Sequence, residues 1–452
     1  MFKFFSKYCL QVSFVLCMSF TIWLAGNLGG FGLNKITFDV ISYHAYTPAV
    51  FIKKDISLKF FKENRQDYTD KGMYWANIAP NGNAVIKTTY GLSLMNLPFT
   101  VWPLLFYTPP NLTGYELPFS MAICTATLFY AIMSVVLVIR LLKQLHFSNR
   151  AIAGSIYVLT IGTNFIVYSS ICVGVAHIYD FFLLIAMLNL ITSWHQKKAL
   201  WQCFLIGLVF GMLILNRPTN IIFSFAILFF GNTFYATKNQ FFSWQNMFQL
   251  LLMAIMAFIV ILPQLLYWKF TSGHYIFNSY IGENFFFNKP HIIDYLFGFR
   301  KGWFIYSPLI LIAFYGLFIH KSKNPFFIVT LICVPLLVFI NSSWWCWWFG
   351  GGYSARAMIE TYPLLVIGMA AFFEHFLTLK KKLTIWLTAF FILFNIKCVD
   401  LYRANIIHYD SMNFKTFVYT TFKINFSHQE KNYLKTIYSY PDYEAAKKGV
   451  SP

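Results

Sequence analysis

Residues 8–44 read YCLQVSFVLCMSFTIWLAGNLGGFGLNKITFDVISYH, and this stretch decides the fold of the chain. It opens with an apolar run that is long enough to cross a bilayer, which takes about 20 residues. The run exceeds the apolar core of a usual signal peptide and no clean cleavage site follows it, so it predicts a retained signal-anchor helix. Lys3 and Lys7 precede the run and predict a cytoplasmic N-terminus.

Composition places the whole chain in the membrane. Hydrophobic residues make up 58% of the sequence, charged residues only 11%, and the mean hydropathy is +0.57. Soluble domains carry about 25% charged residues. The net charge of +19 fits anchored cytoplasmic loops and contact with anionic lipid or phosphate, and predicts no nucleic-acid partner. The eight cysteines show neither metal-ligand spacing nor a disulfide framework, so no metal and no cofactor is expected.

Hydropathy predicts an all-α polytopic bundle of about 11 spans, each near the length needed to cross. The predicted spans are 8–28, 118–142, 151–167, 176–194, 200–215, 219–234, 247–268, 303–319, 326–340, 359–376 and 383–398. They form one transmembrane domain, residues 1–399, followed by an external C-terminal tail, residues 400–452. A large first external loop, residues 29–117, separates the first two spans.

One further apolar run, residues 91–107, is short and contains Pro98 and Pro103. If it does not cross, the short basic loops all face the cytoplasm, as the positive-inside rule requires. Those loops carry Arg140, Lys143, Arg150, Lys197, Lys198, Lys238, Lys321, Lys323 and Lys380 to Lys382. The run is therefore predicted to be an interfacial or re-entrant helix. Residues 269–302, residues 341–358 and the C-terminus are then external.

Asp39 follows the first span directly, and three later stretches complete a pattern. They are NRPT at 216–219, RKGWFIYSP at 300–308 and WWFGGGYSAR at 347–356. This pattern resembles the GT-C class of polytopic glycosyltransferases, which includes protein O-mannosyltransferases and the aminoarabinose transferase of lipid A. The resemblance implies juxtamembrane helices in the first external loop, here at 42–51 and 91–107. It also implies transfer of a sugar from a polyprenyl-phosphate carrier to an external glycan, lipid or protein. O-mannosyltransferases carry an Asp-Glu pair in the first loop, whereas Val40 follows Asp39 here.

Chemistry limits what such a transfer needs. A polyprenyl phosphate is a good leaving group, so the reaction needs a base for the acceptor proton and cations for the phosphate, but no general acid. A glycosidase would need two carboxylates. Asp39 is the predicted base, and His44 is predicted to orient Asp39 or the acceptor. The plainer alternatives are a helix-capping aspartate and an interfacial histidine.

Arg356 is the first candidate for the donor phosphate because it follows three flexible glycines and a guanidinium binds phosphate through paired hydrogen bonds. An ion pair with Glu360 is the alternative. Arg217, Arg300 and Lys301 are further phosphate candidates, with contact to loop carbonyls or lipid headgroups as their alternatives. The predicted sugar or acceptor contacts are aromatic: Tyr43, Trp345, Trp348 and Tyr353. Tryptophan is also enriched at every membrane interface.

Two other functions stay open. A secondary transporter or flippase would place ionisable residues at span centres, and Asp180 is the main exception to otherwise apolar centres. A polymerase or ligase of lipid-linked glycans usually has its large loop late in the chain, whereas here it comes first. The favoured hypothesis is a multi-pass glycosyltransferase of a bacterial inner membrane, with an external active site.

Overall fold

A computed structural model describes residues 2–29, 31, 33–70, 72–231, 244–423 and 425–450. Lys238 and Pro452, used above for topology, lie outside the described residues. The chain divides into two units by backbone contacts. Unit 1 comprises Met1–Thr21, Val138–Tyr168 and Gly282–Pro452, and unit 2 comprises Ile22–Leu137 and Ser169–Ile281.

The predicted all-α membrane fold is confirmed. Within the described ranges, six helices are long and apolar enough to cross a membrane: Tyr8–Asn27, Leu117–Gln144, Ala176–Lys197, Asn246–Ser272, Arg356–Leu379 and Lys381–Arg403. Five shorter apolar helices accompany them: Gly91–Phe106, Leu200–Asn216, Pro218–Leu228, Ile310–Ile319 and Phe327–Ser342. The helix Asn149–Ile161, continued by Phe165–Ser170, corresponds to the predicted span 151–167. Every predicted span therefore matches helical structure, although residues 232–234 of the span 219–234 are not described.

Several predicted spans are interrupted where the sequence disfavours a continuous helix. Trp303–Tyr306 and Ile310–Ile319 are separate because Pro308 cannot continue the hydrogen-bond ladder. The segment 218–228 begins as the 3-10 helix Pro218–Phe223. The tail boundary predicted at residue 400 falls inside the helix Lys381–Arg403, so the helix extends beyond the predicted end of the membrane domain.

The first loop contains more structure than the two predicted juxtamembrane helices. The predicted helix 42–51 is two helices, Asp39–His44 and Tyr46–Phe51. Lys59–Glu63 and Arg65–Asp70 follow, and then a hairpin pairs Ala76–Ile78 antiparallel with Ala84–Ile86. At the hairpin tip, Asn81 and Asn83 each donate a side-chain hydrogen bond to the Thr271 carbonyl, at 2.9 and 3.0 Å. The tip thereby satisfies a carbonyl that has no partner within the last turn of its own helix.

The segment 91–106 begins and returns on one side of unit 2. Before it, Thr88 N donates to Ser42 Oγ at 3.0 Å, and after it, His44 Nε2 lies 2.7 Å from the Gly114 carbonyl. Asn34 also donates to the Tyr115 carbonyl, at 2.9 Å. Because both flanks contact the same short stretch, the chain returns to the side from which it left. This is the arrangement predicted for a helix that does not cross.

The neighbouring helices Leu117–Gln144 and Ala176–Lys197 run parallel. Thr127 Oγ1 lies 3.0 Å from Tyr179 OH, and Asn189 Nδ2 donates to the Leu137 carbonyl at 3.0 Å. Both contacts join residues that are 52 positions apart, as expected for parallel helices in fixed register. The chain must therefore cross back between them, which agrees with the predicted span 151–167.

Regions predicted to be external contact one another inside each unit. In unit 2, Asn77 of the first loop donates to the Ser279 carbonyl at 2.6 Å. In unit 1, Trp345 N donates to the Asn284 carbonyl at 3.0 Å, and Phe285 forms a bridge with Trp344. Within unit 2, the first loop thus contacts the segment that follows the helix Trp244–Ser272. Within unit 1, residues 284 and 285 contact Trp344 and Trp345.

Glycines permit the closest helix crossings. A Cβ on Gly368 would lie 2.1 Å from the Ala313 carbonyl oxygen, and one on Gly316 would lie 1.9 Å from the Gly368 oxygen. Gly207 and Gly211 similarly face Met253 and Ala257. Small residues at such crossings let helix backbones touch, which is how membrane helices pack without a strong hydrophobic drive.

Candidate functional site

Asp39 begins the helix Asp39–His44, immediately after Phe38, whose φ of 49° turns the chain sharply. The Asp39 side chain is half-buried. Tyr43 lies four residues further on, so it shares a helix face with Asp39, and its carbonyl accepts a hydrogen bond from Ser93 Oγ at 2.5 Å. The sequence therefore places the predicted base and one predicted contact residue side by side.

His44 is not placed to orient Asp39. Five residues correspond to about 500° of helix rotation, so the two side chains point roughly 140° apart. His44 is completely buried, its Nε2 bonds the Gly114 carbonyl, and its ring packs edge-on against Tyr115 with centroids 5.6 Å apart. Burial lowers the pKa of His44 to about 4. The histidine holds the end of the first loop to the Asp39 helix, and the role toward the acceptor predicted for it stays a prediction.

The segment 87–93 connects the Asp39 helix to Arg217 inside unit 2. Near its start, Thr88 bonds Ser42, and at its end, Ser93 bonds Tyr43. In its middle, Thr89 Oγ1 donates to the Leu215 carbonyl. The segment thus contacts both the helix that starts at Asp39 and the helix end that precedes Arg217.

Arg217 is half-buried and belongs to a polar cluster at that helix end. Its Nη1 lies 3.4 Å from His177 Nδ1. The adjacent Asn216 donates to Asp180 Oδ1 at 2.8 Å, and Asp180 is completely buried. A buried carboxylate is costly unless it accepts hydrogen bonds, so the Asn216–Asp180 contact fixes the turn that presents Arg217. The sequence pointed to Arg217 but not to the histidine and aspartate beside it.

Lys87 is a candidate that sequence reasoning missed. Its side chain is only 8% exposed, and its ammonium lies 4.4 Å from the Trp75 ring centroid and 4.9 Å from that of Tyr280. A cation over two aromatic faces is attracted by the electron-rich rings. The available signal was a lone lysine inside the apolar stretch AVIKTTYGLSL, residues 84–94.

Unit 1 contains a second cationic region, around the glycine turn 350–352. Lys301 is 2% exposed and donates to the Gly352 carbonyl. A Cβ on Gly352 would lie 3.5 Å from Arg356 Cδ and 3.8 Å from Lys301 Nζ, so both cations flank this glycine. Burial raises the pKa of the nearby Cys346 to about 12, and Arg356 and Lys301 act in the opposite direction. Ser354 Oγ is buried there without a hydrogen-bond partner among the described residues.

The remaining phosphate candidate, Arg300, has a different role. Its guanidinium donates to the Asp410 carbonyl at 3.2 Å and lies 5.3 Å from the Trp348 ring centroid. The Asp410 carboxylate lies 3.0 Å from His408 Nδ1 and accepts hydrogen bonds from Ser411 and, at 2.7 Å, from Tyr443. Burial raises the pKa of Asp410, but the contacts with His408, Ser411 and Tyr443 outweigh that effect and lower it to about 2. Arg300 therefore fastens the C-terminal tail, where the sequence predicted a phosphate ligand.

The aromatic residues predicted to contact the sugar or acceptor fall into a buried pair and a partly exposed pair. Trp348 is 1% exposed beneath Arg300 and Tyr443, and Tyr353 is equally buried, with its hydroxyl donating to Asn395 Oδ1 at 3.2 Å. Neither ring has a face open to a sugar. Trp345 is half-buried and donates to Glu283 Oε2 at 3.1 Å. Trp345 and Tyr43 therefore keep accessible surface.

Comparisons with known proteins give structural matches only. No family model matches the chain, and no curated protein matches it. Among solved structures, ArnT from Cupriavidus metallidurans bound to undecaprenyl phosphate matches with a TM-score of 0.46 and 10% identity, covering 80% of this chain and 59% of that chain. The oligosaccharyltransferase AglB from Archaeoglobus fulgidus, in complex with an inhibitory peptide and a dolichol-phosphate, matches with a TM-score of 0.45 and 12% identity, covering 99% and 57%. The apo form of the Archaeoglobus fulgidus oligosaccharyltransferase matches with a TM-score of 0.44 and 13% identity, covering 99% and 57%.

This chain spans less than two thirds of the length of each of these proteins. At such identities and TM-scores, the matches assign no residue, donor or acceptor in this chain.

Proposed function

We propose that this protein is a membrane glycosyltransferase that moves a sugar from a polyprenyl-phosphate carrier to an acceptor outside the membrane. The proposal rests on the contacts made by the segment 87–93. This segment contacts the Asp39 helix at Ser42 and Tyr43, includes the buried Lys87, and bonds the helix end that leads to Arg217. The helix that begins at Asp39 and the helix end before Arg217 thus both contact the short segment of unit 2 that includes Lys87, and this supports the proposal.

In this proposal, Asp39 takes the proton from the acceptor hydroxyl as that oxygen attacks the anomeric carbon. The bond from that carbon to the phosphate oxygen breaks, and the polyprenyl phosphate leaves with the bonding electrons. Lys87 and Arg217 stabilise the phosphate charge, with Arg217 presented by the Asn216–Asp180 contact. Stabilising the charge that develops in the transition state is usually the largest catalytic contribution.

Arg356, Lys301 and Ser354 form the second anion site of the proposal, in unit 1. This site is the alternative place for the donor phosphate, and the hypothesis that Arg356 binds it rests on its position beside the glycine turn and on the neighbouring Lys301. The orphaned Ser354 hydroxyl supplies one more donor for an anion. The glycines let a ligand approach the backbone closely.

The direct test uses purified protein with a panel of polyprenyl-phosphate sugars and measures the release of polyprenyl phosphate. Asp39→Asn preserves the shape of the side chain and removes the proton acceptor, so the rate should fall 10²–10⁴-fold, as is typical for a lost general base. Asp67→Asn is the matched control, because Asp67 is an exposed carboxylate of the same loop. Normal turnover by a folded Asp39→Asn protein would remove the base from the proposal.

The transporter alternative has one observation in its favour. Asp180 is a completely buried carboxylate inside the helix Ala176–Lys197, and ionisable residues inside spans commonly mark transport pathways. The same panel separates the two functions. A transporter would move an intact lipid-linked substrate across proteoliposomes, whereas the proposed enzyme cleaves the sugar from its carrier.

A further inference from the structure

Unit 2 contains an apolar groove that the proposed reaction does not use. It lies between the helix Tyr46–Phe51, the first half of the helix Gly91–Phe106 and the helix Trp244–Ser272 near Pro263. Its volume is about 270 Å³. A groove of this size holds a segment of one extended hydrocarbon chain and is too small for a protein domain.

The groove walls present carbon almost throughout. Val50, Phe51 and Leu94 line it and are 44%, 49% and 43% exposed, respectively. Exposed apolar side chains that converge on one cleft mark a site for an apolar ligand. The groove is therefore suited to hydrocarbon.

The three tyrosines that line the groove use their hydroxyl groups elsewhere. Tyr46 donates to the Thr88 carbonyl at 3.0 Å, and Tyr90 donates to the Val260 carbonyl at 2.5 Å. The Tyr267 hydroxyl accepts a hydrogen bond from Ile86 N at 3.1 Å. Since these hydroxyls already bond the backbone, the rings contribute apolar faces. A sugar would find few hydrogen-bond partners there.

The groove also adjoins a surface that faces lipid. Within the most apolar stretch of the helix Asn246–Ser272, only 22% of the residues are buried by protein. Ile259 and Leu266, on either side of Pro263, are about half exposed. A hydrocarbon chain can enter such a groove sideways from the bilayer without passing through water.

The loop that joins two of the groove-lining residues, Phe51 and Ile56, is basic. Lys53 and Lys54 stand between Phe51 and Ile56, which both line the groove. The adjacent Asp55 is engaged by the backbone: Oδ1 accepts from Ser57 N and Oδ2 accepts from Lys59 N, both at 2.9 Å. Within the described part of the chain, neither lysine forms an ion pair. Lys53 Nζ lies 5.9 Å from the Phe60 ring centroid, and Lys54 is exposed. An apolar groove whose adjoining loop carries two lysines is complementary to an anionic lipid.

We propose that this groove binds one chain of an anionic phospholipid of the bilayer, with the lipid phosphate at Lys53 and Lys54. The bound lipid would fill the space between the helix Tyr46–Phe51 and the membrane helix beside it. Because that helix directly follows Asp39–His44, occupancy would steady the segment that carries the predicted base. The lipid is a structural ligand in this proposal, distinct from the sugar donor and from the acceptor.

The test is photo-crosslinking in nanodiscs. Phosphatidylglycerol and phosphatidylcholine probes with the same diazirine-bearing chain are compared at trace level, and the labelled peptides are mapped by mass spectrometry. We expect labelling of residues 46–56 and 90–97, with the anionic probe favoured. Lys53→Ala with Lys54→Ala should weaken this labelling about 25-fold, since each lysine near an anionic headgroup contributes about fivefold. Lys431→Ala with Lys435→Ala, exposed lysines of the tail, is the matched control.

A second variant tests the groove itself. Leu94→Trp fills the cleft and should abolish the labelling, whereas Leu105→Trp, at a 65% exposed position of the same helix outside the lining, should not change it. Monodisperse purification of each variant shows that it is folded. Equal labelling by the two probes would overturn the proposal. So would displacement of the anionic probe by substoichiometric polyprenyl phosphate, because the groove would then belong to the donor.

Discussion

Acidic pH should open the first loop, because it protonates His44, whose hydrogen bond to the Gly114 carbonyl holds the loop closed. In the folded protein, His44 Nε2 donates to the Gly114 carbonyl, and the buried Nδ1 has no hydrogen-bond partner among the described residues. Protonation would place a second N–H in that apolar position without an acceptor. Burial therefore lowers the pKa of His44 from 6.5 to about 4, even though the carbonyl of Gly114 and the carboxylate of Glu116 both favour the charged form.

The sign and size of the effect follow from this difference. Because the open loop binds the proton more readily than the closed loop, closure loses stability as pH falls from 6.5 toward 4. A pKa difference of 2.5 units corresponds to about 2 kcal/mol at pH 5 and about 3 kcal/mol at pH 4, at 1.36 kcal/mol per unit. The population of the open loop should therefore rise about 30-fold between pH 7.5 and pH 5.

Hydrogen exchange measures this opening at the amides of residues 39–46 and 112–119, after correction for intrinsic exchange rates at each pH. His44→Gln keeps a donor near the Nε2 position and cannot titrate, so its protection should stay level across the range. His428→Gln, at an exposed position of the tail, should leave the pH step unchanged. A His44→Gln protein with the same pH step as the original would show that another group causes it.

Three further outcomes are expected. Arg356→Ala should weaken donor binding more than Arg356→Lys, by at least tenfold if a charge-assisted bond worth about 1.5–3 kcal/mol is lost, and equal affinities in titrations would exclude this role. Tyr443→Phe keeps the ring on Trp348 but removes the hydrogen bond to Asp410, so thermal unfolding should show a loss of about 1 kcal/mol, and an unchanged transition would mean that the tail does not depend on this bond. Gly368→Ala should sharply reduce thermal stability because its Cβ would clash with the Ala313 carbonyl, whereas Gly26→Ala meets nothing within 4 Å and should be tolerated.

Hydropathy predicted the membrane helices because apolar length is a local property of the sequence. Charge asymmetry then predicted that residues 91–107 stay on one side, and the contacts of Ser42 and His44 agree. The helix breaks were harder to place. Pro308 is visible in the sequence, but the separation of Asn149–Ile161 from Phe165–Ser170 depends on packing, since Asn164 is held by Ser307 and Tyr362 from distant parts of unit 1.

The candidate site was predictable only in part, for a related reason. Asp39 and Arg217 stand at the ends of apolar runs, where a charged residue is conspicuous. Lys87 follows a three-residue strand that is too short for any periodic signal, and its aromatic neighbours Trp75 and Tyr280 lie far apart in sequence. The sequence suggested that Arg300 binds phosphate because the Asp410 carbonyl, which it contacts, is 110 residues away and could not be predicted as its partner.

The closure of the first loop has a consequence for biosynthesis. His44 and the Gly114 carbonyl that it bonds are 70 residues apart. This hydrogen bond therefore cannot form until translation has nearly reached the start of the second membrane helix. At about 5–20 residues per second, translation takes roughly 4–14 s to cover that interval. During this time, the Asp39 helix and the helix Tyr46–Phe51, one wall of the groove, are made before the residues that later cover them. The growing chain would then need protection by the insertion machinery or by lipid, and slowing translation between codons 44 and 114 should lengthen the period in which the first loop is open to proteases.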